Sequence, residues 1–81
     1  MTALRKTIDA QSDWVRAEVK SYDPGRGVGF LTIAADPRDV FVHVTTLRRG
    51  GLRFLRPGYV IECRFGETPN GLAAAEVRHV A

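Results

Sequence analysis

Gly27-Val28-Gly29-Phe30-Leu31-Thr32-Ile33 and Asp39-Val40-Phe41-Val42-His43-Val44, separated by Ala35-Asp36-Pro37-Arg38, decide how this chain folds. Both stretches alternate with period two, the spacing of a strand with one face buried. Leu31 and Ile33 share one face of the first stretch, and Val28, Phe30 and Thr32 share the other. In the second, Val40, Val42 and Val44 fall together, opposite Phe41 and His43. The intervening Asp-Pro pair supplies a turn. Two neighbouring strands are therefore expected, with aliphatic side chains on one face and aromatic ones on the other.

The same period continues outward. Val15, Ala17 and Val19 alternate with Arg16, Glu18 and Lys20 in a strand opened by Trp14, and Asp23-Pro24-Gly25 turns the chain. By this alternation Lys20 and Tyr22 join the face of Phe30 and Phe41, with Arg26 in the turn beside them. A connection from Thr45 to Pro57 contains Gly50-Gly51 and reads as a long loop. Tyr59 to Phe65 is a fourth strand, with Ile61, Cys63 and Phe65 inward. Thr68-Pro69-Asn70-Gly71 is a turn, and Leu72 to Val80 a fifth strand with Ala75 and Val77 inward. Five short strands and no helical period predict an all-β, five-stranded antiparallel barrel, in which closure removes the exposed edges. Residues 1–13 carry no net charge and little periodicity, so they read as a flexible tail on a domain spanning 14–81.

Composition narrows the function. The chain has 81 residues, enough for one modest core. Between Val40 and Ile61 lie Arg48, Arg49, Arg53 and Arg56 and no acid, a window of +4 in a chain whose formal charge is +3. A basic segment on a nearly neutral body suits a polyanion, although arginines in a loop are also ordinary solvated residues. A single cysteine, Cys63, excludes an internal disulfide and fits a cytoplasmic protein. No apolar run approaches a membrane span or a signal peptide, so no membrane association is expected.

Several features resemble reactive chemistry without its full requirements. Gly25, Gly27 and Gly29 do not match a dinucleotide fingerprint. His43, His79 and Cys63 are too few and too scattered for zinc, so neither a metal nor a cofactor is expected. Cys63 reads as a core residue, and Trp14 as a plug at the barrel's end. Asp36 and Asp39 flank a turn with no cleft for acid–base work. No catalytic residue is assigned, and the chain is not read as an enzyme.

The aromatic face is more informative. Phenylalanine left in water forfeits about 25 cal/mol per Å² of burial, whereas aromatics interleaved with cations are what single-stranded nucleic acid stacks on. The competing reading packs Phe30 and Phe41 under the tail or a partner domain.

The residues also carry a family likeness. Arg26-Gly27-Val28-Gly29-Phe30-Leu31 resembles the first ribonucleoprotein motif of bacterial cold-shock proteins, Lys-Gly-Phe-Gly-Phe-Ile. Val40-Phe41-Val42-His43-Val44 resembles the second, Val-Phe-Val-His-Phe, and Val19-Lys20-Ser21-Tyr22-Asp23 is similar to Val-Lys-Trp-Phe-Asn. The likeness runs from about Ala17 to Val80. It implies an OB-type barrel that binds single-stranded RNA or DNA, commonly as an RNA chaperone or regulator of gene expression. The binding residues expected on the combined reading are Lys20, Tyr22, Arg26, Phe30, Phe41, His43 and Arg53. Ser21, Val28, Asp39, Arg48, Arg49, Phe54 and Arg56 are further candidates; the likeness implies a base-accepting role for Asp39. Ser21, Val28, Val44 and Leu52 depart from the family, each standing where an aromatic is usual. That loss leaves an alternative: a degenerate cold-shock domain whose face meets protein, or one domain of a tandem. A monomer or weak dimer is expected.

Overall fold

The computed structural model describes residues 12–53 and 55–80. The chain runs β1 (Val15–Asp23), β2 (Val28–Ile33), β3 (Asp36–His43), α1 (Val44–Arg49), β4 (Val60–Thr68) and β5 (Gly71–His79). The strands close a barrel in the order β1-β2-β3-β5-β4. This is the expected all-β, five-stranded architecture, with one refinement. β3 and β5 run parallel, paired only at Val40↔Leu72 and Phe41↔Ala73, while the other contacts are antiparallel.

Alternation builds the core. Ala17 and Val19, Leu31 and Ile33, Val40 and Val42, and Ile61 and Cys63 point inward and are buried. On β5 the phase slips. Arg64 pairs with Glu76 but Phe65 pairs with Ala74, so Ala75 is an unpaired bulge residue. Ala74, not Ala75, therefore fills the core together with Leu72 and Val77. Phe65 is half-buried against this core.

Three other expectations are corrected. The β2–β3 turn is tighter than the sequence suggests, with Ile33 already paired to Asp36. Asp36 begins β3 and accepts from the Arg38 backbone N–H at 2.9 Å. Val44 leaves the strand to open α1, a six-residue helix inside the connection read as loop. Its Leu47 is buried with Leu52 and Leu55, so the connection covers the end of the barrel with three leucines. Gly50 closes the helix, and a Cβ there would run into the Val77 carbonyl oxygen, so absence of a side chain seats α1 on β5.

Trp14 is not a plug in the barrel's end. It lies half-buried with the Arg78 guanidinium stacked 4.0 Å from its ring centre and that of Arg64 at 6.0 Å. Arg78 in turn holds Glu62 at 2.7 Å. The expected tail lies, for residues 1–11, outside the described residues. Ser12 belongs to the barrel: its N–H donates to the Phe65 carbonyl at 2.8 Å, and its Oγ accepts from the Phe65 N–H at 3.0 Å. Among the described residues no helix is long and apolar enough to cross a membrane.

Candidate nucleic-acid interface

The outward face of β2 and β3 is built by the residues that core alternation rejects. Phe30 sits directly opposite Phe41, and Val28 opposite His43. Leu31, Val40 and Val42 between them are fully buried. Phe30 and Phe41 stay 39% and 36% exposed, their rings edge to face at 5.9 Å and 66°. This is a favourable geometry for an aromatic pair. On β1 the residue opposite Phe30 is Ser21; on β5 the residue beside Phe41 is Ala73. The row Ser21–Phe30–Phe41–Ala73 thus flanks two rings with two small side chains, leaving room above the rings.

Lys20 shapes the β1 edge. Val19 pairs with Leu31 but Ser21 pairs with Phe30, so Lys20 is a bulge residue that shifts the strand's phase by one. Ser21 consequently takes the register position beside Phe30. Tyr22 pairs with Gly29 and packs against the core, its Cδ1 3.0 Å from where a Gly29 Cβ would stand. This corrects the expectation that Tyr22 shares the face of Phe30. Lys20 itself is exposed and reaches across β2 to Asp39 at 3.0 Å. In this state Asp39 accepts from an amine of the protein. Arg26 stands in the β1–β2 turn, where Asp23 Oδ1 accepts from the Gly25 and Arg26 N–H groups at 3.0 and 3.3 Å. Its side chain is freely solvated, with the Asp23 carboxylate 3.8 Å away.

His43 is both a helix cap and an exposed ring. It is the N-cap of α1, its Nδ1 accepting from the Thr45 N–H at 3.2 Å, with Thr45 Oγ1 at 3.0 Å. A backbone N–H can only donate, so in this arrangement Nδ1 is the unprotonated nitrogen and Nε2 carries the hydrogen. The exposed ring therefore offers a donor of fixed direction beside the two phenylalanines.

Comparison with known proteins agrees with this geometry. The model of the 'Cold-shock' DNA-binding domain matches residues 15–80. The chain belongs to the cold-shock domain family. It is 33% identical over 63 residues to the cold shock-like protein CspC of Shigella flexneri, covering 78% of this chain and 91% of that protein. Against CspC of Escherichia coli (strain K12) and the cold shock-like protein CspE of Buchnera aphidicola subsp. Acyrthosiphon pisum (strain APS), identity is 32% over the same shares.

This cold-shock domain differs from the family motif at four expected aromatics, and two of the replacements have become structural. Leu52 is buried in the core. Val44 is half-buried, its Cγ1 2.9 Å from where a Gly27 Cβ would stand. Gly27 has φ +68°, so that turn requires glycine on both counts. Ser21 and Val28 remain on the outer face.

The connection's arginines do not join the aromatic row. Arg48 and Arg53 line a cleft with Gly51 and Leu52, and Arg53 and Arg56 line another with Tyr59 and His79. Arg49 faces Trp14 and Thr46 across a third. Phe54 lies outside the described residues.

Sequence reading missed the groove that borders the rings. Thr68, Pro69, Asn70, Leu72 and Ala73 line it together with Phe30 and Phe41. The turn was legible but its neighbour was not, because the β3–β5 closure that brings them together leaves no local pattern. Cys63 contributes no reactive group: burial pushes its thiol up to about 11. Among the described residues no three His, Cys, Asp or Glu side chains gather as metal ligands.

Proposed function

We propose that this cold-shock domain binds single-stranded RNA or DNA across the outer face of β2 and β3, and serves as an RNA chaperone or regulator of gene expression. The observation that carries the reading is the Phe30–Phe41 pair: two exposed rings, directly opposed and flanked by small residues. Each ring stacks one base for roughly 1–3 kcal/mol, with little preference for which base. The His43 Nε2–H donates to a carbonyl oxygen on a base edge. Lys20 and Arg26 contact phosphates. Both are only loosely engaged, because an exposed ion pair such as Lys20–Asp39 is weak, and exchanging Asp39 for a phosphate costs little. Released from Lys20, Asp39 is free to accept from an exocyclic base amine. Stacking of this kind holds a strand open without reading a long sequence, which is what a chaperone of RNA requires.

An NMR shift titration with a pyrimidine-rich oligonucleotide tests the reading. The expected result is perturbation centred on Ser21, Val28, Phe30, Phe41 and His43. Shifts confined to Trp14, Arg64 and Arg78 on the outer surface of β4 and β5 would overturn it. Saturable binding of a protein partner at Phe30 and Phe41, with no response to oligonucleotide, would favour a degenerate domain instead.

A further inference from the structure

We infer that the connection between α1 and β4 carries a second nucleotide site, in which Tyr59 stacks a base and Arg53 and Arg56 hold its phosphate. The inference rests on the strand-binding reading above and extends it to a different part of the barrel.

Three observations converge. First, among the described residues only Phe30, Phe41, Tyr59 and Val60 are large hydrophobic side chains left exposed. Tyr59, at 46%, is therefore the one exposed aromatic outside the row on β2 and β3. Second, it stands in a cleft of about 470 Å³ with Gly51, Leu52, Arg53, Arg56 and His79. That volume is in the range of small-molecule sites, and the cleft combines an aromatic surface with two guanidiniums and an imidazole. Third, the charges there are unanswered. Lys20, Arg26, Arg38, Arg64 and Arg78 each have a carboxylate partner. Among the described residues none lies within ion-pair distance of Arg48, Arg49, Arg53 or Arg56. Guanidiniums grouped without carboxylates complement a phosphate, which they can bind through paired hydrogen bonds.

The backbone of Tyr59 also lies close to the aromatic row. The Val19 N–H donates to the Tyr59 carbonyl, and the Gly58 N–H to the Val19 carbonyl, both at 2.8 Å. Tyr59 is thus fixed beside Val19, next to the Lys20 bulge. From Phe30 on β2, across β1, to Tyr59 is two inter-strand spacings, roughly 10 Å of backbone. Lys20 lies along that path. The backbone of Tyr59 therefore lies within the span of a few nucleotides from Phe30.

The test compares a thymidine tetranucleotide with an octanucleotide, by anisotropy or NMR, on the full chain. Tyr59→Ala should weaken the octanucleotide by at least about fivefold and leave the tetranucleotide nearly unchanged, with Tyr59→Phe restoring the loss. Arg53→Ala with Arg56→Ala should lower the octanucleotide's salt slope by about 0.7, the value for the one phosphate they hold. Amide spectra of the free variants establish that each is folded. The second site is refuted, and the first stands, when these variants bind both lengths normally while Phe41→Ala weakens both. Equal weakening of both lengths by Tyr59→Ala also refutes it, because the cleft is then part of the first site. Should the wild-type chain bind neither length, both readings fall together.

Discussion

A single inward or outward orientation decides what each aromatic residue does here. Phe30 and Phe41 are exposed on one face, and Leu31 and Val40 beside them are buried on the other. Phe30→Ala and Phe41→Ala should therefore each weaken oligonucleotide binding by roughly 1–3 kcal/mol, with a smaller loss of stability than Leu31→Ala, for which about 2–5 kcal/mol is expected. Parallel titration and denaturant unfolding check this. Phe41→Ala unfolding the domain while folded molecules bind normally would reverse the assignment of faces. Cys63 gives a separate expectation. Its thiol is held at about 11 in the folded barrel against 9.0 for the free group. Between those values the unfolded chain loses the proton and the folded chain keeps it. Stability contributed by the neutral thiol is thus fully present below about pH 9 and declines as pH rises toward 11, by about 2–3 kcal/mol in all. Cys63→Ala should flatten that part of the stability profile; an unchanged slope would show that Cys63 is not its source.

At the scale of elements, α1 binds the candidate site to the scaffold through His43. An imidazole that caps a helix and borders the proposed binding face would make two separable contributions. His43→Ala should cost about 0.5–2 kcal/mol of stability through the lost cap, whereas His43→Asn keeps a strong N-cap and removes only the ring. The expected pattern is near-normal stability but weakened oligonucleotide binding for the asparagine variant. Normal binding by that variant would confine His43 to a capping role. The strands were largely legible in the sequence because period two is local: Leu31, Val40, Val42, Ile61 and Cys63 all fall where alternation puts them. Tyr22 and Ala75 were not, because bulges at Lys20 and Ala75 each shift a phase by one residue and nothing in the adjoining side chains marks the slip. The helix is too short for a period to register. Its ends still carried stop chemistry, with Arg48 and Arg49 in the last turn and Gly50 after them. The rings of the candidate site were legible, since alternation alone separates Phe30, Phe41 and His43 from the core. The arginines were legible as charge but not as position, because a long connection fixes no direction for them.

Across the whole molecule, Trp14 and the candidate face lie on different surfaces. Trp14 stacks on Arg78 of β5, while Ser21 sits opposite Phe30 where the family motif has its tryptophan. Oligonucleotide binding should barely quench native tryptophan emission. Ser21→Trp should give a strongly quenched reporter and tighten binding by roughly 1–3 kcal/mol. Strong quenching of Trp14 in the native chain, or a silent Ser21→Trp variant that binds normally, would relocate the ligand. The order in which strands close has a consequence in time. The pairs Val19↔Leu31 and Phe30↔Phe41 join residues near in sequence, whereas Ala17↔Ile61 must close a loop of more than forty residues. Loop-closure entropy favours the nearer pairs first. The β1–β2–β3 meander, which contains both rings and His43, and the β4–β5 hairpin should thus form early, with closure of one against the other coming late. Val42→Ala should slow folding, and Ile61→Ala should chiefly speed unfolding; the reverse in a chevron experiment would refute this order. A growing polypeptide would then have its strand-binding surface assembled while the second half of the barrel was still being synthesised.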